Sequence, residues 1–333
     1  MQVEVIPRFT LVVDGPARVR VLKGECSVFG AKLKGELELP PFKRLPFRGS
    51  CLLEVEGGSY RLVRGSTVPA EWNVSGRGVL MVVGPTDAGK SSFCTFLINR
   101  LLSERKRVVF LDLDPGQSEV GPPCTLSLAE VNEPVPVLSL LPLTDFAFFG
   151  STTPSGWEDY FTACAGSIFG RAPEFDALVV NTPGWVEGRG LQLLYSLKEL
   201  LKPDETFVLG EVEFEGRKLP PSPYAKPRSR SERSYLRKTL YERFLRRRER
   251  FVISYGQLRP PCLWRDGLNC LGRRVELESP EGLFGALFKE ERGVGFFVVT
   301  GLTEEGLVVE GEKRAFDAAR LGRVRLKEDE ELI

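Results

Sequence analysis

The chain has 333 residues, 42% of them hydrophobic and 27% charged, and 46 basic against 45 acidic residues leave a net charge of +1. That length, roughly twice a domain of ~150 residues, and that composition exclude a single small module and a wholly disordered chain, and they leave no global field for nucleic acid or membrane. The absence of histidine excludes Ser-His-Asp and Cys-His catalysis and every histidine-bearing metal site, so proton transfer falls to carboxylates, Lys or Tyr.

In chain order, residues 1–75 carry short apolar runs at 11–13, 18–22, 51–55 and 60–63 between Gly, Pro and Asp, which predicts a small antiparallel N-terminal β domain. Residues 76–258 change texture, with continuous apolar runs at 79–83, 108–113, 177–181, 206–210 and 251–254. Continuous runs suit parallel strands buried on both faces, so this stretch reads as an α/β domain. Residues 220–230 are rich in Pro and Ser and read as a mobile loop leading into a basic helix. Beyond Pro260 and Pro261 the runs 294–300 and 306–309 are punctuated by glycine, predicting a small C-terminal β domain over 259–333. Cys26, Cys51, Cys94, Cys124, Cys164, Cys262 and Cys270 include no C-x-x-C pair; they fit neither a disulfide framework nor a zinc ribbon and suggest a reducing cytoplasm. The first ten residues lack a signal-peptide pattern, and no run reaches the ~18 apolar residues of a membrane span.

Gly84, Pro85, Thr86, Asp87, Ala88, Gly89, Lys90 and Ser91 satisfy G-x-x-x-x-G-K-[ST], directly after an apolar run and before a helical pattern opened by Ser92. Such a loop curls backbone N–H groups around a β-phosphate at a helix N-terminus, with Lys90 reaching the β/γ oxygens and the Ser91 hydroxyl ligating Mg²⁺. The next strand ends in Asp112-Leu113-Asp114, whose acids share a face if the strand continues that far. One can hold Mg²⁺ through water while the other takes a proton from a nucleophile.

The phosphate loop, Asp-Leu-Asp-Pro-Gly-Gln at 112–117, Phe-Gly-Ser-Thr-Thr-Pro at 149–154, Asn-Thr-Pro-Gly-Trp at 181–185 and a late Arg-rich segment together resemble, in order and spacing, the P-loop polynucleotide 5′-hydroxyl kinase family. Its members include the RNA kinase subunit of the pre-mRNA cleavage and tRNA-splicing machinery and a kinase of ribosomal-RNA processing. Segments 24–30 and 295–300 look like the family's N- and C-terminal domain signatures, and the chain looks like a compact prokaryotic form. The resemblance implies a central P-loop NTPase parallel sheet flanked by small N-terminal and C-terminal β domains, and transfer of the ATP γ-phosphoryl to 5′-OH ends of RNA or DNA. GTP stays open as a donor.

By that resemblance Lys90 and Ser91 are the phosphate and Mg²⁺ residues and Asp114 the base on the 5′-hydroxyl. Asp112 and Glu119 join Ser91 as expected metal residues, with Gln117 beside them. Thr182 and Trp185 match a clasp in which the indole packs on the terminal nucleotide; an ordinary buried tryptophan is the plainer alternative. Thr152 and Thr153 look like substrate-binding hydroxyls, with a helix N-cap as alternative. Segment 226–250 holds 11 Lys/Arg against 3 Glu and reads as a lid over 222–250. There Arg228 and Arg233 match the family's lid arginines, and Arg237 lies on the matching side. Two rival functions remain: a catalytically silent ATP-binding scaffold of an RNA-processing complex, and a GTPase or small-molecule ligase, for which no N-K-x-D signature is present.

Overall fold

The computed structural model describes residues 1–259, 262–264, 268–270, 273–275, 279–327 and 330–332. Strands β1 (Gln2–Val5), β2 (Phe9–Val28), β3 (Ala31–Lys32), β4 (Glu36–Leu39) and β5 (Arg44–Arg64) form an antiparallel sheet. Runs that look separate in the sequence lie in two long strands of 20 and 21 residues, β2 and β5. β5 bends so that both of its ends flank the start of β2: Val13 pairs with Tyr60 on one side and Leu45 on the other. Leu11, Val13, Val19, Phe47, Leu53 and Val55 fill its core, the inward half of a period-two alternation.

The central sheet contains β6 (Gly78–Val83), β7 (Val108–Asp112), β8 (Thr125–Val131), β9 (Asp145–Phe148), β10 (Ala177–Asn181), β11 (Glu205–Leu209) and β12 (Arg217–Leu219) in the order β12-β11-β6-β10-β7-β8-β9. Strands β12 to β7 are parallel, whereas β8 runs antiparallel to β7 and β9. The sheet is therefore mixed, not parallel throughout. The chain passes from β7 to β8 without a helix, and a parallel return needs a crossover that this loop does not supply.

Four helices, α1 (Lys90–Ser103), α2 (Glu158–Phe169), α3 (Arg189–Leu201) and α4 (Arg230–Phe244), complete the described architecture. Alternation along the strands sorts the core into two layers. Leu80, Val82, Phe110 and Val179 meet Phe93, Leu97, Ile98 and Leu101 of α1; Met81, Val83, Val109 and Val180 meet Phe161, Ile168, Leu193 and Leu197 of α2 and α3. Trp72 is fully buried against Phe93, and its indole N–H donates to Pro220 O at 2.8 Å, joining the sheet's entry to the loop before α4. Trp72→Ala should cost about 3–5 kcal/mol, read as a lower urea midpoint.

The third sheet is antiparallel. It contains β13 (Glu249–Ser254), β17 (Leu283–Lys289), β18 (Arg292–Leu302), β19 (Gly306–Gly311), β20 (Ala318–Lys327) and β21 (Glu330–Leu332), while β14 (Cys262–Trp264), β15 (Leu268–Cys270) and β16 (Arg273–Val275) pair separately. The run 251–254, expected in the parallel sheet, belongs here as part of β13. Phe251 and Ile253 are buried while Val252 is 43% exposed, so the strand has one wet face, as antiparallel edges do. Pro260 and Pro261 lie outside the described residues. Tyr241 and Leu245 pack with Phe146, Phe148, Phe284 and Phe296, so α4 and β9 are sealed against the third sheet. Among the described residues no helix is long and apolar enough to cross a membrane.

Candidate active site at the carboxyl ends of the central strands

Strands β6, β7 and β10 end side by side, in the crevice outside the carboxyl ends of parallel strands where α/β sheets bind ligands. From β6 the chain enters the glycine loop, where Gly89 has φ +93° and opens α1; a side chain at that angle would be strained. Lys90 is 7% exposed, and its ammonium donates to Gly84 O at 2.9 Å and Pro85 O at 3.1 Å. Burial lowers its pKa while Asp114 pulls the other way.

At the end of β7, Asp112 is fully buried. It accepts from Asn181 Nδ2 at 2.9 Å and from the backbone N–H of Glu119 at 2.7 Å and Asp114 at 3.2 Å. Burial nonetheless pushes it up to about 7. Asp114 stands closer to the open space. Gly116 and Gln117 donate their N–H groups to its Oδ1 at 3.1 and 2.9 Å, so Oδ2 is the oxygen available to a hydroxyl. Burial raises its pKa, with Lys90 opposing.

One cavity is lined by Asp87, Lys90, Ser91, Asp114, Gln117 and Glu119, and also by Phe29, Phe42 and Arg44 of the N-terminal β unit and by Tyr224 and Arg228 of the segment before α4. Arg228 donates from Nη1 to Gln117 Oε1 at 3.1 Å and from its backbone N–H to Asp87 Oδ2 at 2.9 Å; Arg233 Nη1 meets the same carboxylate oxygen at 3.3 Å. The predicted lid arginines thus lie on the phosphate loop, held by that loop's own acid. Helix α4 is set there by Ser229, whose hydroxyl accepts from Glu232 N–H while Glu232 returns to Ser229 N–H, a capping box.

The other predicted residues are placed as follows. Ser91 lines the cavity beside Glu119, and Lys43 Nζ grips both Glu119 oxygens at 2.8 and 2.7 Å. Burial alone would raise Glu119; Lys43, with Arg228 and Ser91 adding to it, holds the carboxyl below its usual range. Thr182 is fully buried and donates to Val82 O at 2.8 Å, so its hydroxyl serves the strand rather than the cavity. Trp185 is half-buried, its indole against Gly190 of α3, outside the cavity lining. The clasp loop itself touches the phosphate loop: a Cβ on Gly184 would lie 2.7 Å from Thr86 N. Thr152 and Thr153 do not cap α2, whose N-cap is Trp157 without a side-chain bond; Thr152 O presses on Gly116, where a Cβ would lie 2.5 Å away. Arg237 lines a separate groove along α4 with Arg230 and Lys238. Cys26, Cys51, Cys94, Cys124 and Cys164 form no disulfide; the side chains of Cys262 and Cys270 lie outside the described residues.

Sequence reasoning missed Lys43, Phe29, Phe42 and Asn181. The first three come from turns of the N-terminal β unit, and of these only Phe29 falls in a segment, 24–30, that the resemblance draws on. Asn181 sat inside a quoted motif without a role.

Among the described residues no three His, Cys, Asp or Glu side chains cluster into a metal cage. Mg²⁺ needs none, because it is held through one or two carboxylates, its own waters and substrate phosphates. The donor set fits such an ion: a serine hydroxyl, two carboxylates behind it, and Asn181 Oδ1, a buried acceptor with no hydrogen-bond partner.

Residues 84–247 match the family described as mRNA cleavage and polyadenylation factor CLP1 P-loop. A polyribonucleotide 5′-hydroxyl-kinase of Pyrococcus horikoshii is 30% identical over 268 residues, covering 74% of this chain and 72% of that protein. The chain belongs to this CLP1-type kinase family. The polynucleotide 5′-hydroxyl-kinase GRC3 of Gibberella zeae is 39% identical over 150 residues, which are 40% of this chain but 21% of that protein, so the chain spans about a fifth of the fungal relative. A solved structure of the wild-type Clp1p–Pcf11p complex superposes with a TM-score of 0.75 at 15% identity, covering 98% of this chain and 97% of that one. The CLP1 fold therefore extends beyond the P-loop to both flanking sheets, and the family's P-loop implies use of a nucleotide.

Proposed function

We propose that this chain is an ATP-dependent polynucleotide 5′-hydroxyl kinase that transfers the γ-phosphoryl group to a 5′-OH end of RNA or DNA in the cytoplasm. The observation that carries the reading is the convergence of Lys90, Asp114 and Arg228 on one cavity, in a chain devoid of histidine where Asp87 is engaged by Arg228 and Arg233 and Glu119 by Lys43. Asp114 Oδ2 accepts the 5′-hydroxyl proton as the 5′ oxygen bonds the terminal phosphorus, while the bond from that phosphorus to the β,γ-bridging oxygen breaks and ADP leaves with the electron pair. Lys90 turns from the loop carbonyls to the β/γ oxygens, and Arg228 and Arg233 move from Asp87 to the transferring group. Ser91, with Asp112 and Glu119 through water, would hold Mg²⁺, which when bound neutralises charge on the phosphate oxygens. Phe29, Phe42 and Arg44 wall the far end of the cavity, where the nucleotide base belongs.

Trp185 beside this crevice fits a stacking platform that accepts any terminal base. Trp185→Ala should raise the oligonucleotide KM roughly five- to hundredfold, the range for losing one stacked base, and leave the ATP KM within twofold. An unchanged oligonucleotide KM relegates the indole to packing on Gly190.

One observation favours a second reading, a nucleotide-binding scaffold without turnover: the Lys90 ammonium is engaged by the carbonyls of its own loop. Incubation with ATP or GTP and with single- and double-stranded 5′-OH RNA and DNA separates the two. A 5′-phosphorylated product supports the kinase, whereas bound nucleotide with no product on any acceptor supports the scaffold.

A further inference from the structure

The carboxyl end of β9 opens on a second surface that the phosphate-transfer chemistry does not use. The chain leaves β9 through residues 149–157 and enters α2 at Trp157, which is 45% exposed. Arg323 of β20 lays its guanidinium on one face of that indole, 3.2 Å from the ring centroid. Tyr160, 39% exposed, follows one helical step on and stacks on Phe149. Together with Arg259 and Arg320 these side chains line an open groove between α2 and the third sheet. No carboxylate lines it, and among the described residues none of the three arginines forms an ion pair with one.

A chain of contacts links the walls of this groove to the site above. Residue 150 ties the loop to the third sheet, since Arg323 N–H donates to Gly150 O at 2.6 Å. Two residues on, Thr152 O abuts Gly116, whose N–H holds Asp114. On the other flank Arg189 of α3 pairs with Glu158 of α2 at 2.8 Å, fastening the start of α2 to the helix against which Trp185 packs. A strand whose 5′ oxygen lies at Asp114 thus meets, next along this edge, exposed aromatic rings interleaved with unneutralised guanidinium groups.

We propose that the Trp157–Arg323 groove binds the single-stranded nucleotides 3′ of the acceptor end, bases stacking on Trp157 and Tyr160 and phosphates meeting Arg259, Arg320 and Arg323. The inference rests on the kinase reading for the direction of the strand. Stacking platforms beside cationic grooves hold single strands without regard to sequence. A blunt duplex keeps its bases inside and cannot use the rings. The groove therefore sets both the strandedness and the minimum useful length of the acceptor.

The test uses the full chain and 3′-fluorescein 5′-OH oligonucleotides of two, four and eight nucleotides. Binding is read by anisotropy and phosphoryl transfer by steady-state kinetics. In the wild type, affinity and kcat/KM should rise with length for single strands and not for a blunt duplex. Trp157→Ala should remove roughly five- to hundredfold of the octanucleotide affinity, and Trp157→Phe should retain most of it. Arg320→Gln with Arg323→Gln should flatten the salt dependence by about 0.7 in log–log slope for each phosphate left without its arginine. A length dependence that survives in both Trp157→Ala and the double arginine variant overturns the inference, and a fall in thermal midpoint without that loss assigns these residues to packing alone. If the wild type phosphorylates nothing yet binds octanucleotide through Trp157, the groove stands and the kinase reading falls; transfer that ignores Trp157 gives the reverse.

Discussion

Replacing Arg228 and Arg233 together by methionine should lower kcat by on the order of 10³–10⁵, the range for removing arginines that cover a transferring phosphoryl group. The ATP KM should change far less, because uniform nucleotide binding is left to the glycine loop. Loss of the lid's anchorage does not explain an effect of that size. The Arg233–Asp87 pair is partly exposed, 29% and 13% for the two side chains, and such pairs contribute about 0–1 kcal/mol, less than a tenfold effect. Arg228→Lys separates charge from geometry: it keeps the cation but loses the planar guanidinium whose Nη1 faces Gln117 and Asp87 while its Nε donates to Phe42 O, so it should recover only part of the rate. Single-turnover kinetics with saturating ATP read the chemical step directly; a rate within tenfold of wild type in the double variant would remove the arginines from the mechanism.

Asp114→Asn should cost about 10²–10⁴ in kcat, the worth of a positioned general base, while leaving the two backbone N–H groups an oxygen to bond. The wild-type pH profile carries a matching signature. Asp114 acts as a base only when ionised, and burial raises its pKa above the ordinary carboxylate value with Lys90 limiting the rise. Activity should therefore fall on acidification at a pH above the usual carboxylate range, and in the inactive Lys90→Ala variant the Asp114 carboxyl itself, followed by NMR titration, should titrate at higher pH because the opposing charge is gone. The same raised value has a sign for stability. A carboxyl favoured in its protonated form by folding stabilises fully below its unfolded pKa, and that contribution is lost as pH rises through the folded value. Asp112, raised to about 7, adds the same trend between about pH 4 and 7 in the nucleotide-free protein.

How much of this the sequence carried depended on how local each feature is. The glycine loop, the acids at 112 and 114, and the basic segment were legible because each is a short run whose spacing follows from the strand and helix that present it. The flanking β units were legible as texture, but not the way β5 wraps β2, which is what brings Lys43 to Glu119 and Phe42 into the cavity across 70 or more residues. The run 251–254 misled because three apolar letters and a serine do not say whether one face or two is covered; Val252 in water decides it. Thr182 misled in the opposite sense, since a motif position need not face the ligand when a neighbouring carbonyl takes its hydroxyl. Trp157 and Arg323 escaped notice because they stand 166 positions apart in the chain and meet only when the third sheet closes on α2.

The central claim is that a 5′ oxygen receives the terminal phosphoryl group beside Asp114. Mass spectrometry of a single-stranded oligonucleotide incubated with ATP measures this most directly when a 5′-OH strand is compared with an otherwise identical 5′-deoxy strand. The expected result is one added phosphoryl group on the 5′-OH strand, none on the 5′-deoxy strand, and none on either with Lys90→Ala. Phosphorylation of the 5′-deoxy strand, or equal product from Lys90→Ala, would contradict the account.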